Sequence, residues 1–338
     1  MSYLTSAGMT LDETWHASEA DYINQVCFSP DDNQIAVACA DGSVAVYAQG
    51  GELLWRHCVH GLGATALAWA PDSTALASGG QDGIINIWQA QSGNRTHRYA
   101  GGRGWVEKLD WSPDGLLAAI TGKQLNIWND AGHSVSFFAA AGSTLTGLQW
   151  QADGSLLTSG YGQVLRWHPD HAAPVKEYVW KGSLLSLASS PNGHVIAAGS
   201  QEGAIHFWRT RKNNEFQMDG YNNKVRLIGW SPDSRFFFTA GGEALIIWDC
   251  KGKGPEGTAP DYQDFHKAPI TALAPHSRCS YVASGAEDGS LYIYDPKRRL
   301  VVATGAINHS VSAVAWHQSG EALMVGSSGG QITHFHVA

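Results

Sequence analysis

His60, Ser78 and Asp82 are the three residue types of a nucleophilic triad, a serine with a base to take its proton and an acid to orient that base. His334-Phe335-His336 sets two imidazoles two apart, and on a strand both point to one face, where they would hold two corners of a zinc site. No Cys or carboxylate stands close by in sequence to complete such a site, so sheet packing is the competing reading. Gly101-Gly102-Arg103-Gly104 and Gly326-Ser327-Ser328-Gly329-Gly330 are glycine-rich, yet no G-x-x-x-x-G-K-[ST] occurs and no helix follows to supply an amide-lined terminus. They read as turns between strands. Cys27, Cys39, Cys58, Cys250 and Cys279 contain no C-x-x-C, and an odd, scattered set reads as reduced thiols of a cytoplasmic protein.

The elements that must position these residues are short strands in a repeat. Trp88, Trp128, Trp167, Trp208 and Trp248 end five similar apolar segments, at intervals of 40, 39, 41 and 40 residues (128 − 88, 167 − 128, 208 − 167, 248 − 208). Val44-Ala45-Val46-Tyr47, Leu291-Tyr292-Ile293-Tyr294 and Thr333-His334-Phe335 extend the series to eight copies. A turn signal precedes each: Ser29-Pro30-Asp31-Asp32, Ala70-Pro71-Asp72-Ser73, Ser112-Pro113-Asp114-Gly115, Gln151-Ala152-Asp153-Gly154, Ser190-Pro191-Asn192-Gly193 and Ser231-Pro232-Asp233-Ser234. His276-Ser277-Arg278 and His317-Gln318-Ser319-Gly320 take its place in the last two copies. Period-2 alternation on either side of the turns reads as strands, not helices. Four short strands per copy make a sheet too small to bury both faces alone, so neighbouring sheets must pack radially.

Composition agrees. A chain of 338 residues exceeds one ordinary compact core, which calls for two domains or one repeat architecture. With 43% apolar residues and 14 tryptophans there is ample surface to bury, which excludes a disordered chain. The net charge of −8 argues against a dedicated binder of nucleic acid or anionic membrane. No apolar run approaches the roughly 20 residues of a membrane helix, and Met1-Ser2-Tyr3-Leu4-Thr5 leads to no signal-peptide expectation.

The Trp248-Asp249 dipeptide, the Ser-Pro-Asp turns and the hairpins at Asp41-Gly42, Asp82-Gly83 and Asp288-Gly289 resemble the WD40-repeat β-propellers, over essentially the whole chain from Trp15 to Val337. The resemblance implies one all-β domain over residues 1–338, a closed propeller of four-stranded blades. Eight copies predict eight blades, with the commoner seven as the alternative. The orphan strand near Thr10 to Trp15 is expected to complete the sheet of the last copy, which ends without an outer strand. In this family a His, a Ser or Thr, an Asp and a Trp often form a buried network within one repeat. Here only copy two, with His60, Ser78, Asp82 and Trp88, matches fully, so that set is read as structural and not catalytic. Copy seven has His266, Ser284 and Asp288 but Tyr294 for Trp, and copies three, four and six lack the Asp.

The resemblance also implies a non-catalytic scaffold that binds a peptide or protein and needs no cofactor or metal. The alternative is a zinc-handling accessory protein or a propeller enzyme with a site at the central channel. Loops entering the first strand and turns from second to third strand lie on one face in such a blade. That places Tyr22, Arg103, Trp105, Tyr161, Lys181, Gln201, Lys224 and Glu287 there as partner-binding candidates. Trp105 stands out as the one tryptophan with no strand position to explain it, and a lid over its own blade is the competing reading. The basic runs Arg209-Thr210-Arg211-Lys212 and Lys297-Arg298-Arg299 belong to turns, either solvated or facing an acidic partner or phosphate. Asp249 to Pro269 is an exposed excursion that stretches the copy interval to 46 (294 − 248).

Overall fold

A computed structural model describes residues 8–129, 132–137, 141–212, 214–252 and 254–338. Lys253 of the excursion lies outside the described residues. Those described form an all-β chain of antiparallel sheets in seven groups. Four-stranded sheets draw on residues 23–58, 64–100, 106–137, 227–263 and 270–306; a sixth joins 311–337 to Leu11–Ser18, and a seventh has six strands from 145–218.

Eight separate sheets are therefore not what the hydrogen bonding gives; the count is seven. The reason lies in copies four and five. Leu156–Trp167 doubles back at Gly162, whose φ is 86°, and its halves meet where Arg166 Nε donates to Ser155 Oγ and Trp167 Nε1 to Thr158 Oγ1, both at 2.8 Å. Leu156 to Gly160 pairs with Leu145–Trp150, and Tyr161 to Arg166 with Lys176–Ser189. Lys176–Ser189 then holds both the outer strand of copy four and the first strand of copy five, and Tyr161 pairs with Ser183 between them. The pairing of Tyr161 with Ser183 joins the hydrogen bonding of the two copies, so both share one sheet.

The orphan strand behaves as expected. Leu11–Ser18 pairs antiparallel with Gln331–Val337, from Leu11 opposite Val337 to Ser18 opposite Gln331, with a bulge at Glu13/Trp15. Chain contacts divide the molecule into two compact units, Cys27–Leu187 and a second made of Ala188–Ala338 with the chain up to Val26. Each unit buries its apolar strand positions between neighbouring sheets. In the first, Ala77, Ile85, Val106, Leu117 and Trp128 share one cluster. In the second, Phe207, Val225, Trp230, Phe237 and Trp248 share another. Each fully buried aliphatic or aromatic side chain contributes about 1.5–3 kcal/mol.

Two devices recur from sheet to sheet. In the turn after the first strand, the Ser29, Ser112, Ser190 and Ser231 hydroxyls accept the amides of Gln34, Leu116, Val195 and Phe236 at 2.9–3.0 Å. In copy seven the His276 ring does the same work, with Nδ1 accepting the amides of Arg278 and Cys279. The fourth turn residue is left-handed, and there Gly115, Gly154, Gly193 and Gly320 are unstrained. Ser73 and Ser234 keep side chains at φ 61° and 58° because their hydroxyls accept the amides of Asp31 and Asn192 in the preceding turn, both at 3.0 Å.

The second device is a tryptophan at the end of the first strand. Trp69, Trp111, Trp150, Trp230 and Trp316 donate their indole N–H to the carbonyls of Cys27, Ala68, Asp110, Ala188 and Ala274, each in the first strand of the preceding copy, at 2.9–3.3 Å. Trp150 is doubly tied, since its amide also donates to Asp110 Oδ2 at 2.8 Å. Burial pushes the Asp110 carboxyl up to about 6. A raised acid pKa contributes stability that is present below the unfolded value near 3.8 and lost as pH rises through 6. Asp110→Asn keeps an acceptor for the Trp150 amide, so the variant should gain on the order of 1–2 kcal/mol at pH 7 and nothing at pH 3.5. Urea denaturation at the two pH values checks this; equal gains at both would contradict it.

Candidate functional site

His60, Ser78, Asp82 and Trp88 do meet, in a slot closed to solvent. His60 Nε2 lies 2.9 Å from Ser78 Oγ and Nδ1 lies 3.3 Å from Asp82 Oδ1, while Trp88 Nε1–H donates to Ser78 Oγ at 2.9 Å. Because Ser78 Oγ accepts from Trp88, its proton goes to His60 Nε2, and His60 Nδ1–H is left to donate to Asp82. Ser78 and His60 are both 0% exposed. No substrate reaches that hydroxyl, and a Cβ on Gly80 would stand 2.5 Å from the imidazole, so even the strand beside it is fitted to the ring. Burial lowers the His60 pKa against the opposing pull of Asp82, which keeps the ring neutral. This is a structural clamp tying a loop, two strands and a turn, not a hydrolytic triad.

Copies that depart from the pattern fill the same slot differently. In copy seven His266 Nε2 meets Ser284 Oγ at 2.8 Å, and Nδ1 reaches Asp288 through Ser290, whose hydroxyl lies 3.0 Å from the ring and donates to Asp288 Oδ1 at 2.6 Å. Tyr294, standing for Trp, turns its hydroxyl to Asp261 Oδ2 at 2.7 Å, where Arg299 also binds. In copy six Trp248 Nε1–H donates to the Tyr221 hydroxyl at 3.0 Å. In copy four Trp167 donates to Thr158 at 2.8 Å.

His334 and His336 do not form a ligand pair. His334 is buried, stacked on Trp15 at 5.5 Å with 9° between planes, and its Nδ1 is 2.6 Å from Thr14 Oγ1; His336 is exposed. Burial, then the neighbouring His317 and His336, push the His334 pKa down to about 4. Among the described residues no group of three His, Cys, Asp or Glu side chains comes together to hold a metal.

The eight surface candidates are all exposed. Arg103, Trp105, Tyr161 and Lys181 belong to the first compact unit; Tyr22, Gln201, Lys224 and Glu287 belong to the second. Within the first, Arg103 and Trp105 share the loop before Val106–Trp111, and its backbone is clamped. Gly101 donates its amide to Gly83 O at 2.9 Å and accepts from Asn126 Nδ2 at 2.8 Å. A Cβ on Gly83 would stand 2.8 Å from Gly104 O, and one on Gly122 2.6 Å from Arg103 O, so only glycine lets both turns close on the loop. Trp105 is nevertheless 52% exposed. Tyr161 is 60% exposed where its strand changes partner, opposite Ser183, two positions from Lys181. In the second unit Lys224 stands beside Val225, whose amide donates to Ser200 O at 3.0 Å, next to Gln201. Glu287 is tied through its amide to Pro269 O, and Tyr22 through its amide to the Asp21 carboxylate.

One residue of this kind was missed. Leu62 is 67% exposed in the loop entering Ala64–Trp69, the equivalent of the Trp105 loop one copy earlier. Its signal was an apolar residue between two glycines, Gly61-Leu62-Gly63.

Comparison with known proteins gives two family matches. Residues 26–114 match the anaphase-promoting complex subunit 4 WD40 domain, and 174–209 and 262–295 match the WD domain, G-beta repeat. WD repeat-containing protein slp1 of Schizosaccharomyces pombe is 25% identical over 229 residues, 65% of this chain and 46% of that protein. Protein FIZZY-RELATED 2 of Arabidopsis thaliana is 28% identical over 195 residues, 54% of this chain and 40% of that protein. WD repeat-containing protein 1 of Xenopus tropicalis is 24% identical over 284 residues, 78% of this chain and 45% of that protein. The chain thus spans less than half the length of these relatives. The crystal structure of the computationally designed Ika8 protein superposes with TM-score 0.81 at 19% identity, covering 98% of this chain and 100% of that one, which concerns the fold alone. With the turn-and-tryptophan repeat, the antiparallel sheets and the His60 network in place, the matched segments are WD40 repeats, and the chain is similar to the WD40-repeat proteins.

Proposed function

We propose that this protein is a non-catalytic interaction scaffold of the cytoplasm, capturing a peptide or protein on the exposed loops that carry Arg103 and Trp105. The observation that carries the reading is Trp105, a half-exposed indole on a loop whose backbone is clamped by its neighbours. A large ring held out on a preordered loop loses little entropy on binding, as hot spots require. Leu62, Tyr161 and Lys181 of the same unit extend the face; Tyr22, Gln201, Lys224 and Glu287 are its counterparts in the other unit. The net charge of −8 favours a protein partner over nucleic acid. The family match named for the anaphase-promoting complex subunit 4 WD40 domain supports work inside a protein assembly. None of the five cysteines is joined in a disulfide, in keeping with a reducing compartment.

Arg103→Ala with Trp105→Ala should abolish partner capture in affinity purification from the native cell. Both side chains are exposed, so the melting temperature should stay within a few degrees, a change of about 0.5 kcal/mol or less. Tyr262→Ala, equally exposed but on an outer strand, should capture normally. Undiminished capture by the double variant would remove these loops from the binding face.

A further inference from the structure

The basic run Arg209-Thr210-Arg211-Lys212 borders a cavity of about 630 Å³ in the second compact unit. Its floor is aromatic: Phe207 and Phe216 stack at 4.9 Å and 4°, and Trp230 meets Phe207 edge-on at 6.5 Å. Arg209 is held over the Phe216 ring at 4.6 Å and paired to Glu256 at 3.1 Å. Arg211 and Lys212 are exposed at the mouth. The excursion after Trp248 supplies the far wall through Gly252, Gly254, Pro255 and Glu256.

The fold itself supplies an internal control. A second cavity, of about 470 Å³, lies at the equivalent place in the first unit, lined by Ala75, Ile87 and Thr96 where this one has Val195, Phe207 and Phe216 (195 − 75 = 120, three repeats). At the positions of Arg209, Arg211 and Lys212 that copy has Gln89, Gln91 and Ser92, and Asp72 and Asp114 line it. Packing of neighbouring sheets thus makes the groove, but not its three cations, its phenylalanines or its added wall. Three fixed positive charges against the single carboxylate of Glu256 stand out on a chain of net charge −8.

We infer that this groove is a second docking site, taking an extended acidic peptide segment of a partner protein. Aspartate or glutamate side chains meet Arg211 and Lys212, and an apolar side chain rests on Phe216 and Trp230. Arg209, already paired, positions the Phe216 ring. The strand Val195–Ser200 separates His194 in this groove from Gln201 at the other end, about 20 Å away, so the groove and the Trp105-type loops lie at opposite strand ends.

The test is selection of peptides from a random phage-displayed dodecapeptide library on the full chain, followed by anisotropy of a fluorescein-labelled copy of the best binder. The expected binder is rich in Asp and Glu around an aromatic or aliphatic residue. Arg211→Glu with Lys212→Glu should weaken it at least tenfold, Arg211→Gln with Lys212→Gln should weaken it less, and Arg103→Ala with Trp105→Ala should leave it unchanged. The last variant separates this site from the loop face. The inference is overturned if selection shows no acidic bias, or if the charge-reversed variant binds as tightly. Displacement by millimolar inorganic phosphate as readily as by unlabelled peptide would also overturn it, leaving a simple anion site.

Discussion

Removing residues 1–20 should leave a protein that unfolds at least 10 °C lower or does not fold at all. The strand Leu11–Ser18 is the outer strand of a sheet whose other three strands come from the last copy. Its loss strips the ladder from Gln331–Val337, together with the bonds of Thr10 to Ala338 and Glu19 to Gly330. It uncovers the Trp15 to His334 stack and the apolar cluster on which Met9 and Leu11 pack. Several hydrogen bonds at about 1 kcal/mol each, with the lost burial, exceed about 5 kcal/mol, which for a compact unit of this size is a shift of 10–20 °C. The bared edge should also aggregate. A synthetic peptide of residues 8–20 added in trans should restore part of the loss. A truncated protein that melts like the parent would mean the terminal strand is only loosely paired.

A steep loss of stability on mild acidification is the second large effect. His60, His266 and His334 are buried and neutral, and burial pushes His266 and His334 down to about 4. The unfolded chain protonates them near 6.5, so their contribution is fully present above pH 6.5 and lost as pH falls towards 4. A depression of about 2.5 pH units corresponds to about 3 kcal/mol for each of the two. Asp110 works in the opposite direction between pH 4 and 6, but it is one group against three. Urea midpoints should therefore fall strongly between pH 7 and 4.5. In His266→Asn and His334→Asn combined, a lower starting value should accompany a flatter slope. A parent protein equally stable at both pH values would show that these rings are reached by water.

Much of this was legible in the residues. Turn and tryptophan recur together at a fixed interval, and that fixed strand, turn and orphan strand alike. The count of separate sheets was not legible, because it depends on Tyr161 pairing with Ser183 across from one copy to the next, a contact that nothing in the local sequence announces. The copy-two network could be named from sequence, whereas Tyr221 in the slot of copy six could not, since nothing local says that a phenol will accept the Trp248 indole there. Trp105 could be singled out by having no strand to belong to. The cationic groove could not, because its walls come from four separate stretches between Ser190 and Glu256 that only the stacking of adjacent copies brings together.

The five indole bonds from Trp69, Trp111, Trp150, Trp230 and Trp316 have a consequence for measurement. Each joins a copy to the one before it, through a side chain and a distant carbonyl. Amide protons of the ladders exchange with deuterium when a strand frays within its own sheet, but an indole proton held this way is released only when two copies separate. In one sample, backbone and indole exchange rates thus report different openings of the same molecule. The protein carries a natural set of probes for the seams between its repeats, distributed through both compact units and needing no label.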